Sequence, residues 1–160
     1  MHISPRLCAI GRLISPGSRV ADVGTDHGYL PVWLTQQGRC PFVIATDVAT
    51  GPLDAARRSA DQAGITSGID FRLADGLDAV RPDEVDTIII AGMGGETMAG
   101  ILYRAPWLKS EPYRILLQPQ SKVPELIDFL SEEGYCLLDQ HVAIEGRRHY
   151  IIFEVTAWQA

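Results

Sequence analysis

The chain has 160 residues, a hydrophobic fraction of 46 % and a formal net charge of −6, which fits one packed domain over 1–160 and excludes a disordered chain. No apolar run reaches the length of a membrane span, and the N-terminal stretch around Pro5 and Arg6 lacks the apolar segment of a secretory signal. The acid excess weighs against a domain that grips nucleic acid by itself, and the widely spaced Cys8, Cys40 and Cys136 frame neither a disulfide scaffold nor a metal pair, which points to a reducing cytoplasm.

Residues 4–14 put Leu7, Ile10, Leu13 and Ile14 at helical spacing, with Ser4 and Pro5 as cap and first turn, and Pro16-Gly17 as the break. A short buried strand follows at 19–23, then a helix at 28–37 ended by Gly38, a strand at 42–46, and a helix at 52–63 ended by Gly64. Next come a strand at 69–73 and another at 85–91, whose Ile88-Ile89-Ile90 run is expected of a strand buried on both faces. A helix at 96–104, a strand at 114–117 and a helix at 123–133 ended by Gly134 complete the alternation. Two strands then follow with no helix between them, 135–144 and 149–156, joined at Glu145-Gly146. This order predicts an α/β fold: a Rossmann-like, doubly wound, mostly parallel seven-stranded sheet with a C-terminal antiparallel hairpin.

The chemistry concentrates at the strand ends. Gly24-Thr25-Asp26-His27-Gly28 leads from the first strand into its helix, and Asp47 closes the next strand, placed to accept both hydroxyls of a ribose or else to cap the helix that starts near Pro52. A dinucleotide fingerprint would need glycines at 24, 26 and 29, whereas Asp26 and Tyr29 hold the last two. A carboxylate there would repel a pyrophosphate, while the phosphate-free S-adenosylmethionine offers an ammonium group to it. The cofactor-binding set expected from these turns is Asp22, Gly24, Thr25, Asp26, Gly28, Tyr29, Leu30, Asp47 and Val48, continued by Asp75, Gly76, Ala91, Gly92 and Met93 after the third and fourth strands. Asp75 is in position to meet the exocyclic amine of adenine, or simply to make an Asp-Gly turn. Gly94 and Gly95 either line the substrate side or pack against the following helix, and Gln118 with Pro119 either reads the edge of a base or leads into a helix capped at Ser121. His27 is the one histidine in these turns; no histidine pair has metal-ligand spacing, so no metal is expected, and neither a nucleophile elbow nor a P-loop is present.

With these residues in hand, the chain resembles the bacterial tRNA (adenine-22-N1)-methyltransferase family. The resemblance rests on residues 20–31, Ala74-Asp75-Gly76-Leu77, Ala91-Gly92-Met93-Gly94-Gly95, Leu117-Gln118-Pro119-Gln120 and the ending Glu145-Gly146-Arg147-Arg148-His149-Tyr150. It implies S-adenosylmethionine as donor, an adenine of tRNA as acceptor, and Asp26 and His27 as the catalytic pair close to the transferred methyl. Asp26 would stabilise the positive charge that develops on the base, or else hold the cofactor's ammonium group. Family members carry a C-terminal helical extension that helps to hold tRNA. These 160 residues contain no such segment, which with the charge of −6 weakens the expectation that this chain grips tRNA alone. Methylation of a small molecule or protein, and a non-catalytic cofactor-binding module, are the alternatives.

Overall fold

The computed structural model describes residues 3–157. Helix α1 (Pro5–Arg12) starts where Ser4 Oγ accepts the Leu7 N–H at 3.2 Å and Pro5 supplies a first-turn residue that needs no donor. The strands and α-helices that follow are β1 (Arg19–Val23), α2 (Tyr29–Gln36), β2 (Phe42–Asp47), α3 (Thr50–Gln62), β3 (Ile69–Leu73), β4 (Thr87–Gly94), α4 (Gly95–Tyr103), β5 (Arg114–Ser121), α5 (Val123–Glu132), β6 (Tyr135–Glu145) and β7 (Arg148–Ala157), with short 3-10 helices at Pro82–Glu84 and Pro106–Lys109. None of the helices among the described residues is long and apolar enough to cross a membrane.

The seven strands form one sheet in the order β3-β2-β1-β4-β5-β7-β6. The first five are mutually parallel, β7 runs antiparallel to β5, and β6 pairs antiparallel with β7, so the hairpin expected at the C-terminus closes the sheet. Chain order reverses between β1 and β4, which makes their C-terminal ends the switch point of the sheet, where diverging loops leave a crevice.

Both faces of the sheet are packed. Ile88, Ile89 and Ile90 are fully buried, and strand alternation divides them. Ile88 and Ile90 join the side chains of α4 and α5, among them Met98, Leu102 and Leu126; Ile89 joins Ile10, Leu30 and Leu34 of α1 and α2. Burial of each is worth about 1.5–3 kcal/mol, so β4 is the girder on which the site is built.

Two boundaries differ from expectation in a way that matters. β4 begins at Thr87 and continues through the glycines to Gly94, with register shifts against β5 on either side of Met93. Gly92, at φ +78°, permits this irregularity, which a periodicity reading takes for the end of a strand. The hairpin turn is Gly146-Arg147 and not Glu145-Gly146, because Glu145 still pairs with Arg148 across the ladder.

Candidate active site

A cavity of about 390 Å³ opens at the switch point, within the range of roughly 300–1,000 Å³ usual for small-molecule sites. The turn after β1 forms one wall. Its backbone is stitched to β2 by the N–H groups of Gly24 and Thr25, which both donate to the Thr46 carbonyl at 2.9 and 2.8 Å. Thr46 in turn donates its hydroxyl to the Gly76 carbonyl at 3.3 Å and ties in the loop after β3. The Met93 side chain lies over Gly24: a Cβ built there would come within 2.3 Å of Met93 Cε.

Asp47 is buried at the end of β2, and its carboxylate organises the neighbouring backbone. Oδ2 accepts the Asp26 N–H and Oδ1 the Ala49 N–H, each at 3.1 Å. Each oxygen keeps a second lone pair for a ligand. The same bond helps to hold Asp26 at φ +56°, a left-handed conformation uncommon for a residue with a side chain. The Asp26 side chain itself is solvent-facing, with Oδ1 3.9 Å from His27 Nε2, and the His27 ring stacks on Tyr29 with centroids 5.3 Å apart.

Asp22 sits deeper. Burial pushes its carboxyl up from 3.8 to about 6, against the opposing effects of the Thr25 hydroxyl, which donates to Oδ2 at 2.9 Å, and of the Arg6 charge. Asp75 stands on the exposed rim with Oδ1 paired to Arg104 Nη2 at 2.9 Å, so one of its oxygens is already occupied.

All but one of the expected cofactor residues line this cavity: Asp22, Gly24, Thr25, Asp26, Tyr29, Leu30, Asp47, Val48, Asp75, Gly76, Ala91, Gly92 and Met93, with His27 beside them. Gly28 does not. It stands just before α2 at φ +71°, and a Cβ there would lie 2.7 Å from Ala56 Cβ and 2.9 Å from its Cα, so its smallness serves the contact with α3. Gly94 and Gly95 also turn out to be packing residues. A Cβ on Gly95 would fall 2.2 Å from the Lys122 carbonyl, and one on Gly94 3.0 Å from Ser121 Oγ.

A second cavity, of about 690 Å³, lies between the end of β5 and the hairpin and is lined by Gln118, Pro119, Gln120, Val123 and residues 145 and 148–151. It shares Arg6, Asp26 and Gly92 with the first. Presenting its amide to a base is one of the two roles open to Gln118 in the sequence. Gln118 is instead 1 % exposed, with Oε1 accepting from Arg6 Nη1 at 2.7 Å and Nε2 donating to the Pro119 carbonyl at 3.1 Å. Arg6 is the residue that sequence reasoning missed. It belongs to a helix that reads as ordinary amphipathic packing, and only the path of α1 across the sheet brings its first turn to the strand ends. Away from this region, strand pairing gathers Asp139, His141 and Glu154, with ligand atoms within 4.8 Å of one another, and Glu154 is already paired with Arg114.

A doubly wound sheet ended by an antiparallel hairpin, with a carboxylate-lined cleft at its switch point, is the build of a Rossmann-like methyltransferase domain. A family model described as a methyltransferase domain matches residues 3–153. The tRNA (adenine(22)-N(1))-methyltransferase of Bacillus subtilis (strain 168) is 32 % identical over 157 residues, which are 98 % of this chain and 66 % of that protein. The crystal structure of the B. subtilis m1A22 tRNA methyltransferase superposes with a TM-score of 0.90 at 32 % identity, over 99 % of this chain and 68 % of that one. A Streptococcus pneumoniae protein solved in complex with S-adenosyl-L-methionine gives 0.91 at 35 % identity, over 99 % and 75 %. The chain thus belongs to the methyltransferase-domain family, in its tRNA (adenine-22-N1)-methyltransferase branch, and spans about two thirds of the length of the B. subtilis relative.

Proposed function

We propose that this chain transfers a methyl group from S-adenosylmethionine to ring nitrogen 1 of an adenine in tRNA. The observation that carries the proposal is the meeting of the two cavities at Arg6, Asp26 and Gly92, so that a group held in the first faces a group held in the second. The residues of the first cavity suit the donor. Asp22, Asp26 and Asp47 line the cavity with one guanidinium, that of Arg6, while Asp75 on the rim is paired with Arg104; the excess of acid favours a cationic nucleoside and repels a pyrophosphate.

When bound, the donor supplies a methyl group already activated by its sulfonium. The protein's part is alignment and charge. Asp47, with both oxygens fixed by backbone N–H groups, holds the ribose diol. Asp26, on the rim common to both cavities, offers a carboxylate to the positive charge that attack creates on the base. His27 stays beside it, oriented by its stack on Tyr29. In the second cavity the Tyr150 ring, flanked by Arg148 and His149, offers a stacking face and cationic edges to a base drawn out of its helix.

The test is transfer of a labelled methyl group to unmodified tRNA, mapped by primer extension. Label on the adenine at position 22, lost when that base is guanine, supports the proposal. Label that persists after the replacement, or that enters protein or small molecules and not RNA, overturns it.

A further inference from the structure

Strand register builds a second constellation on the C-terminal hairpin. Asp139 and Glu154 stand opposite each other across β6 and β7, and His141 follows two positions along β6, opposite Ile152. The three side chains share one face of the sheet, on which Ile152 packs with Ile10 and Ile14. One ligand atom from each lies within 4.8 Å of the other two. His141 Nε2 is closed off from solvent and has no hydrogen-bond partner among the described residues. Asp139 Oδ2 is 3.7 Å from it, too far for a hydrogen bond. A buried polar atom left in this way is costly, and this one sits beside two carboxylates. Each carboxylate is anchored through its other oxygen. Asp139 Oδ1 accepts the Gln140 N–H at 2.8 Å. Glu154 Oε1 accepts from Arg114 Nε at 2.7 Å and from Arg114 Nη2, and the same guanidinium is held by the Leu13 carbonyl. Among the described residues no hydrogen bond falls on Glu154 Oε2. Carboxylates tied by hydrogen bonds at one oxygen and open at the other are the build of metal ligands. An ion trio made only to balance charge would bond the imidazole to a carboxylate.

We propose that Asp139, His141 and Glu154 bind one Zn²⁺ ion, through His141 Nε2 and one oxygen of each carboxylate, with water in the fourth position. One nitrogen and two oxygens suit zinc, whereas Mg²⁺ takes oxygen ligands. Bond lengths of about 2.0–2.1 Å put the ligand atoms of a tetrahedral zinc about 3.3–3.5 Å apart. The 3.7 Å pair is close to this, and rotation of the exposed Asp139 side chain closes the wider separation. The ion clamps β6, the outermost strand, to β7 just where the register shift between Leu137 and Asp139 interrupts their ladder. Its role is structural and separate from the cleft. Spacing between histidines could not reveal it, because the site uses one histidine and two acids from two strands.

The test is calorimetric titration of the chelator-stripped native chain with zinc chloride, with magnesium chloride as control. The native chain is expected to take up one Zn²⁺ and to give no heat with Mg²⁺. Zinc at about 100 times its Kd should raise Tm by about 5–10 °C. His141→Gln and Asp139→Asn are each expected to weaken zinc by about 10-fold or more and to remove most of that rise. Asp139 is exposed, so its variant keeps the test open should the other fail to fold. Cys8→Ser and Cys136→Ser, which remove the two partly exposed thiols, should leave the affinity within about twofold. A native chain that binds no zinc, or binds Mg²⁺ as well as Zn²⁺, would overturn the assignment. So would native affinity in Asp139→Asn, or a loss that follows a cysteine instead.

Discussion

Replacement of Asp47 by asparagine changes few atoms and has two separable effects. In the native chain the two carboxylate oxygens each accept a backbone N–H at 3.1 Å, from Asp26 and Ala49, at a position 9 % exposed. Asparagine offers one acceptor; its NH2 must confront the other N–H. One charge-assisted hydrogen bond disappears, worth about 1.5–3 kcal/mol, and a chain of this length should lose about 3–12 °C in Tm. Ligand binding responds independently. If the same carboxylate takes the ribose hydroxyls, the loss of one further charge-assisted bond weakens S-adenosylhomocysteine by about 10- to 150-fold. Calorimetry on native and Asp47→Asn chains, with S-adenosylhomocysteine and its 2′-deoxy analogue, closes a double-mutant cycle. The native chain should discriminate against the deoxy analogue, and the variant should not. A variant that melts earlier yet binds as the native chain does, with undiminished discrimination, would show that Asp47 only staples the loop.

Three further outcomes are expected. Asp22 titrates at 3.8 when unfolded and at about 6 when folded, so the folded state binds the extra proton between these values and native stability falls as pH rises through that window. Asp22→Asn, which keeps an acceptor for the Thr25 hydroxyl, removes this dependence and should gain about 3 kcal/mol on the native chain between pH 4 and pH 8 in denaturant unfolding; a gain that does not vary with pH would refute the assignment. Asp26→Asn keeps the left-handed backbone and the N–H bond to Asp47 but removes the charge, and should lower the single-turnover methylation rate by about 100-fold or more with donor affinity unchanged; near-native turnover would dismiss its catalytic role. Gly95→Ala drives a Cβ to within 2.2 Å of the Lys122 carbonyl, and should cost about 1–3 kcal/mol in a chemical denaturation series as the start of α4 and the start of α5 are pushed apart; an unchanged midpoint would contradict the packing described.

Local signals carried much of this structure. Glycine breaks, β-branched runs and helical spacing locate the seven strands and the five α-helices of the described residues, because each element buries its own apolar face. The first-cavity residues were legible for the same reason: the doubly wound fold brings the turns after β1, β2, β3 and β4 to one edge. What local pattern does not encode is contact between distant segments. Glycine at 28, 94 and 95 looks alike whether backbone faces a ligand or another chain segment, and only the approach of Ala56, Ser121 and Lys122 decides it. Gln118 looked free because its partner, Arg6, lies 112 positions away on a helix whose spacing reports burial and not function. Asp139, His141 and Glu154 likewise meet only through the register of β6 and β7.

The central claim is that the cleft between the ends of β1, β2 and β4 is built for a phosphate-free, cationic adenosine derivative. Its most direct measurement is a pair of calorimetric titrations of the native chain, one with S-adenosylmethionine and one with NAD. Saturable binding of the first at one site per chain, with no measurable heat from the second, is the predicted result. Comparable binding of NAD, or no binding of S-adenosylmethionine, would contradict it.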